Sequence, residues 1–155
     1  MNFSDNGVAL LKSLEGFRST AYKDSGGKMT IGYGHLIVNG DGTCVGDILE
    51  EVQATGLLKQ DVQSAVDCVN ACVTVPLNQN QFDALVIFAY NVGNGALQNS
   101  TLLHLLNSGD FDGAADQFLV WCKIHTAQGM FVEVAGLKNR RLAEQNLFLT
   151  QEVIA

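Results

Sequence analysis

Cationic side chains are scarce: nine lysines and arginines stand against sixteen acidic residues, a formal charge of −7. A chain of that balance is a poor ligand for nucleic acid or for anionic membranes. Long apolar runs are also missing. The longest, Ala84 to Ala89 followed by Tyr90, is far too short to cross a bilayer. The amino-terminal stretch MNFSDNGVALLKSLEGF has neither a basic start nor an uninterrupted apolar core. No membrane insertion and no signal peptide are therefore expected. Cysteine spacing excludes a zinc site, because Cys44, Cys68, Cys72 and Cys122 form no Cys-x-x-Cys pair and His35, His104 and His125 are scattered. Cys68 and Cys72, four apart on a predicted helix, would strain a disulfide and read as small buried apolar side chains. A bridge from Cys44 or Cys122 stays open. What is present, 155 residues of which 47% are apolar, suits a single domain with a sizeable core.

Chemistry concentrates in LEGFRSTAYKDSGGKMTIGYGH, Leu14 to His35. Val8, Leu11 and Glu15 fall three and four apart, with Leu10 and Leu14 beside them, so an amphipathic helix capped by Ser4 carries Glu15 along its apolar stripe. A carboxyl group there loses hydration, which favours the protonated form that a general acid needs. Asp24, Ser25, Gly26 and Gly27 are turn residues between Ala21-Tyr22 and Met29-Thr30-Ile31, which predicts a hairpin. A carboxylate on that turn stays hydrated and ionised. Period-2 alternation puts Thr30 on the face opposite Met29 and Ile31, where its hydroxyl can point with Asp24. Two carboxyl groups in unlike settings suit acid and base roles. From spacing alone, ordinary surface carboxylates beside a hairpin are the commoner arrangement.

The string itself changes that reading. The helix ending in EG, then AYKD, then TIGYGH, resembles the catalytic signature of the phage-type lysozymes, glycoside hydrolase family 24. QNQFDALVIFAYNVGNGAL (Gln79 to Leu97), STLLHLLNSGDFDGAADQFLVW (Ser100 to Trp121) and GLKNRRLAEQNLF (Gly136 to Phe148) resemble the same family in the same order, so nearly the whole chain is covered. The resemblance implies an α+β lysozyme-like fold in a single domain 1–155. It comprises a small antiparallel β lobe at about 16–46, a linking helix at about 47–73, and a helical lobe at about 74–155 packed with the amino-terminal helix 4–15. The active-site cleft would lie between the lobes. It implies a muramidase cutting the β-1,4 bond between N-acetylmuramic acid and N-acetylglucosamine, with Glu15 as general acid and Asp24 as general base on a water shared with Thr30. No cofactor is implied. The partners would be peptidoglycan glycan strands, met by a monomer made in the host cytoplasm and acting at the wall after release. The acidic charge departs from what an anionic wall substrate would favour. Two alternatives follow: a lytic transglycosylase using Glu15 alone, against which Asp24 and Thr30 argue, and a wall-binding protein that keeps the fold without turnover.

Further contacts carry over residue by residue. Asn91, in AYNVG, sits where the family places an amide facing the cleft; it could equally satisfy helix-end carbonyls. Tyr33 could stack on a sugar face or pack on the strand. Arg140 is the family's candidate to hold Glu15 by planar hydrogen bonds, while Arg141 reads as a solvated residue pairing with Glu144. Trp121 reads as core. His35 is structural rather than catalytic, with Asp61 on the long helix as its candidate partner.

Elsewhere, the Asn-Gly and Asp-Gly steps of HLIVNGDGTCV predict another hairpin and lack the acidic spacing of a calcium loop. Asp47 with Glu50, and Asn78 with Gln81, predict capping boxes. Helices are expected from Asp47 through about Val73, over Gln79 to about Val92, Ser100 to Asn107, Asp110 to Trp121 and Gly136 to Leu149, with a loop between Lys123 and Ala135.

Overall fold

In a computed structural model that describes residues 1–152, the chain forms two compact units, Val8–Gln63 and Met1–Gly7 with Ser64 onward. The expected α+β class holds. None of the described helices is long and apolar enough to cross a membrane.

The first unit contains most of helix α1 (Asp5–Glu15), a sheet of β1 (Arg18–Lys23), β2 (Met29–Gly32) and β3 (His35–Leu36), and the start of α2 (Glu51–Cys72). The sheet is antiparallel in chain order, β1 pairing with β2 from Lys23 opposite Met29 to Arg18 opposite Gly32, with an irregularity between. Leu11, Ile31, Leu58 and Val62 are buried here. Gly32 is required where it stands, because φ is +68° and a Cβ would lie 3.1 Å from that of Ala54 on α2. This approach covers β2, so Thr30, Ile31 and Gly32 are all buried rather than alternating in exposure.

The second hairpin expected at NGDGT does not form. Asp41 takes the donors that strand pairing would have used, accepting from the Thr43 N–H (2.8 Å), the Thr43 hydroxyl (2.6 Å) and the Val38 N–H (3.3 Å), while Gly40 and Gly42 adopt positive φ. The capping box is also displaced. Asp47 accepts from the Cys44 N–H at 2.7 Å and closes a turn, and the Gln53 side chain instead accepts from the Glu50 N–H at α2's start.

The second unit is built on α3 (Gln79–Val92), whose residues Phe82 to Ala89 are all buried and whose start carries the expected Asn78–Gln81 box. After it come α4 (Asn94–Gln98), α5 (Thr101–Asn107), α6 (Phe111–Gln117) with a 3₁₀ turn Phe118–Trp121, and α7 (Ala135–Leu149), which packs on α3. Phe88 meets Phe118 and Trp121 edge-on at 5.2 and 5.6 Å, and Phe118 meets Phe148 at 5.5 Å. Each buried ring of this cluster contributes on the order of 1.5–3 kcal/mol. Buried Asp83 accepts from the Ser4 N–H (3.1 Å), the Ser4 hydroxyl and Gln79 Nε2 (2.8 Å), while Ser4 Oγ caps α1 at the Gly7 N–H. Where a loop was expected, β4 (Lys123–His125) and β5 (Phe131–Glu133) form a hairpin exposed on all six residues, so no burial pattern marked it. All four cysteines are free thiols, and burial together with neighbouring Cys68 pushes Cys72 up to about 11.

Candidate active site

The β1–β2 turn is closed by its own acid. Asp24 donates its N–H to the Lys28 carbonyl (2.9 Å), and its Oδ1 accepts from the N–H groups of Gly26 and Lys28, each at 2.9 Å. Gly27, at φ +79°, supplies the left-handed turn position. Oδ1 is thus fully engaged, whereas Oδ2 makes no hydrogen bond to any described residue. On β2 the Thr30 hydroxyl donates to the Lys28 carbonyl at 3.1 Å. One residue therefore orients both groups: the N–H of Lys28 holds Asp24 and its carbonyl holds Thr30. With its hydrogen committed, Thr30 Oγ1 offers only lone pairs to a third party.

Glu15 is the last residue of α1, half-buried, with Gly16 behind it at φ +72° returning its N–H to the Lys12 carbonyl (3.0 Å). This left-handed terminus stops the helix and leaves the carboxyl at its end. Glu15 Oε2 lies against Gly34, 3.6 Å from where a Cβ would stand. The β2–β3 turn that carries Gly34 is pinned by the next residue. His35 Nδ1 is 2.7 Å from Asp61 Oδ2, as expected, and Nε2 is 2.9 Å from Asp41 Oδ2. Burial would lower the His35 pKa, but hydrogen bonds and charge from Asp61 and Asp41 outweigh it and hold the imidazolium form above its ordinary value. Asp41, accepting chiefly from Thr43 and then from His35, is held well below the usual carboxylate range. Sequence reasoning missed Asp41, because Asp-Gly signalled a tight turn rather than a carboxylate gathering four donors.

Tyr33 does not offer a sugar platform. It is 5% exposed, and its ring lies 5.4 Å from that of Phe17 with Lys12 Nζ, itself paired with Glu51 at 2.9 Å, 5.3 Å from its centroid. Burial, and then Glu51, push its pKa up. In the second unit, Arg141 is wholly buried rather than solvated. Its guanidinium contacts both oxygens of buried Glu144, at 2.9 and 3.1 Å, donates to the Asn91 side-chain oxygen, and lies 5.1 Å from the Phe88 ring centroid. Asn91 is thus oriented by Arg141, its amide group standing on an exposed residue at α3's end. Arg140, nearly buried, donates from Nε to Glu144 at 3.3 Å. Trp121 is half-buried on Phe88, in keeping with a core role.

Residues 12–144 match the phage lysozyme family profile. The chain is 47% identical over 154 residues to an endolysin of Bacillus phage B103, covering 98% of this chain but 56% of that longer protein. It is 40% identical over 151 residues to the endolysin of Salmonella phage P22, covering 97% and 99% of the two. Among solved structures, the muramidase domain of SpmX from Asticaccaulis excentricus superposes with a TM-score of 0.89 at 37% identity, over 97% of this chain and 99% of that one.

Proposed function

The chain belongs to the phage lysozyme family, and we propose that it is a muramidase hydrolysing the β-1,4 bond between N-acetylmuramic acid and N-acetylglucosamine in peptidoglycan. The observation that carries the chemistry is the shared anchor at Lys28, which leaves Asp24 Oδ2 and the Thr30 lone pairs as two acceptors engaged by no described residue. A water taken up by both gives each a hydrogen and turns a lone pair outward. Asp24 removes one proton as the water oxygen bonds to the anomeric carbon of the muramic residue. Glu15 gives its proton to the departing O4 of the glucosamine as the glycosidic bond breaks. Solvent then returns the proton from Asp24 to Glu15. Neither step calls on a metal or organic cofactor. The protein acts as a monomer on glycan strands and reaches the wall from the host cytoplasm after release.

Purified peptidoglycan should lose turbidity with the chain, and mass analysis of the fragments should find reducing muramic ends. Anhydromuramic ends, or binding without turnover, would overturn the reading. Glu15→Gln should fold as the parent does and lose activity by about a hundredfold or more, because the amide has no proton to give.

A further inference from the structure

The few cations of this acidic chain are unevenly used. Lys12 pairs with Glu51, Lys138 with Glu133, and Arg140 and Arg141 with Glu144. Among the described residues, Arg18, Lys23, Lys28 and Lys123 make no ion pair, and three of these four lie on the single hairpin β1–β2. All three are exposed; Arg18 rests 4.8 Å from the Tyr22 ring centroid, and Lys23 and Lys28 have no side-chain partner among the described residues. Lys28 stands directly opposite Asp24 across the turn and Lys23 directly precedes it. The hairpin thus carries three cations against the one anion Asp24, in a chain of −7. The rest of the surface repels an anionic wall, and the edge flanking Asp24 attracts it.

Peptidoglycan is itself lopsided in charge. Its sugar rings carry neutral hydroxyl and acetamido groups, and its carboxylates hang on the stem peptide, joined through lactate to the muramic residue. If Asp24 activates the water that attacks that residue, the stem leaves the ring beside the hairpin tip. We propose that Lys23 and Lys28, with Arg18 behind them, form a docking edge for the stem-peptide carboxylates of the muramic residue being cleaved. This rests on the muramidase reading above and adds to it a preference: stems with free carboxylates over stems whose carboxylates are amidated. Exposed ammonium–carboxylate contacts are individually weak and salt-sensitive, so the two lysines together should be worth about fivefold in kcat/KM at low salt.

The test compares two peptidoglycans, both stripped of wall phosphate polymers, one with carboxylate stems and one with amidated stems. The parent chain should favour the carboxylate form by about fivefold, and raising the salt should erode that preference. In the double variant Lys23→Gln, Lys28→Gln, with melting checked against the parent, the ratio should collapse to about one. A ratio unchanged by the substitutions, or no preference in the parent, overturns the docking edge and leaves the muramidase reading standing. A lysine dependence seen only on walls that retain their phosphate polymers assigns the edge to phosphate and also overturns the stem proposal. Failure of the parent to release muramic ends from either substrate would instead overturn the functional reading.

Discussion

His35 and Asp61 are joined across 26 residues by a 2.7 Å contact between Nδ1 and Oδ2, and the residue before His35 is the glycine on which Glu15 rests. The pair thus fixes the turn that supports the proposed acid, with Asp41 closing the other side of the ring at 2.9 Å.

Removing Asp61 tests this linkage through pH. The His35 pKa is raised in the folded state, so its contribution to stability is fully present below the unfolded value near 6.5 and is lost as pH rises through the folded value. Asp61→Asn should lower the His35 pKa and destabilise the fold at pH 5 by about 1.5–3 kcal/mol, the usual worth of a hydrogen bond to a charged group. The deficit should shrink as the pH passes the parent's His35 value. An NMR titration of His35 that is the same in both proteins would rule the linkage out.

The two glycines of TIGYGH should respond unequally to alanine. Gly34 has φ +85°, but its added Cβ would meet Glu15 Oε2 at an ordinary 3.6 Å, so Gly34→Ala should cost only the roughly 1–2 kcal/mol of a left-handed L-residue. Gly32 combines φ +68° with a 3.1 Å approach to Ala54, so Gly32→Ala should cost about 1–3 kcal/mol more through overpacking. Denaturant midpoints of the two variants check the order. Equal losses would mean that β2 can move away from α2.

These positions show where sequence was legible and where it was not. Ser4 as a cap, the turn at Asp24, the Asn78–Gln81 box and the buried face of α3 follow from local rules, and each stands as expected. His35–Asp61 was within reach because a strand-end histidine needs a partner. Arg141 was misread because adjacent arginines on a helix suggest a solvated face, and no local signal says that the second one is buried against Phe88 and Asn91. The β4–β5 hairpin, exposed throughout, left no apolar alternation to read.

Arg141 also makes a stability prediction. Glu144, buried completely, lies between Arg140 and Arg141 on one helix face. Glu144→Gln keeps the shape but removes a buried counter-charge, and should cost about 3–5 kcal/mol, as breaking a buried pair does. A melting temperature within a degree or two of the parent would show that water reaches these guanidiniums.

Thr30 carries the stereochemical prediction. Its hydrogen is given to the Lys28 carbonyl, so toward substrate it can only accept, as can Asp24 Oδ2. Two acceptors suit a water that donates to both, whereas a carboxylate attacking the sugar directly needs no such companion. Inverting enzymes leave about 6.5–9.5 Å between their carboxyl groups for that water, against roughly 5–5.5 Å in retaining ones. The first product should therefore be the α-anomer, caught by NMR before mutarotation. Thr30→Val, which fits the same buried position, should lower kcat at least about tenfold and leave KM little changed, because the lost contact acts on the water in the transition state. A β-anomer as first product, or a valine variant with parental kcat, would remove Thr30 from the reaction and return Asp24 to the role of a direct nucleophile.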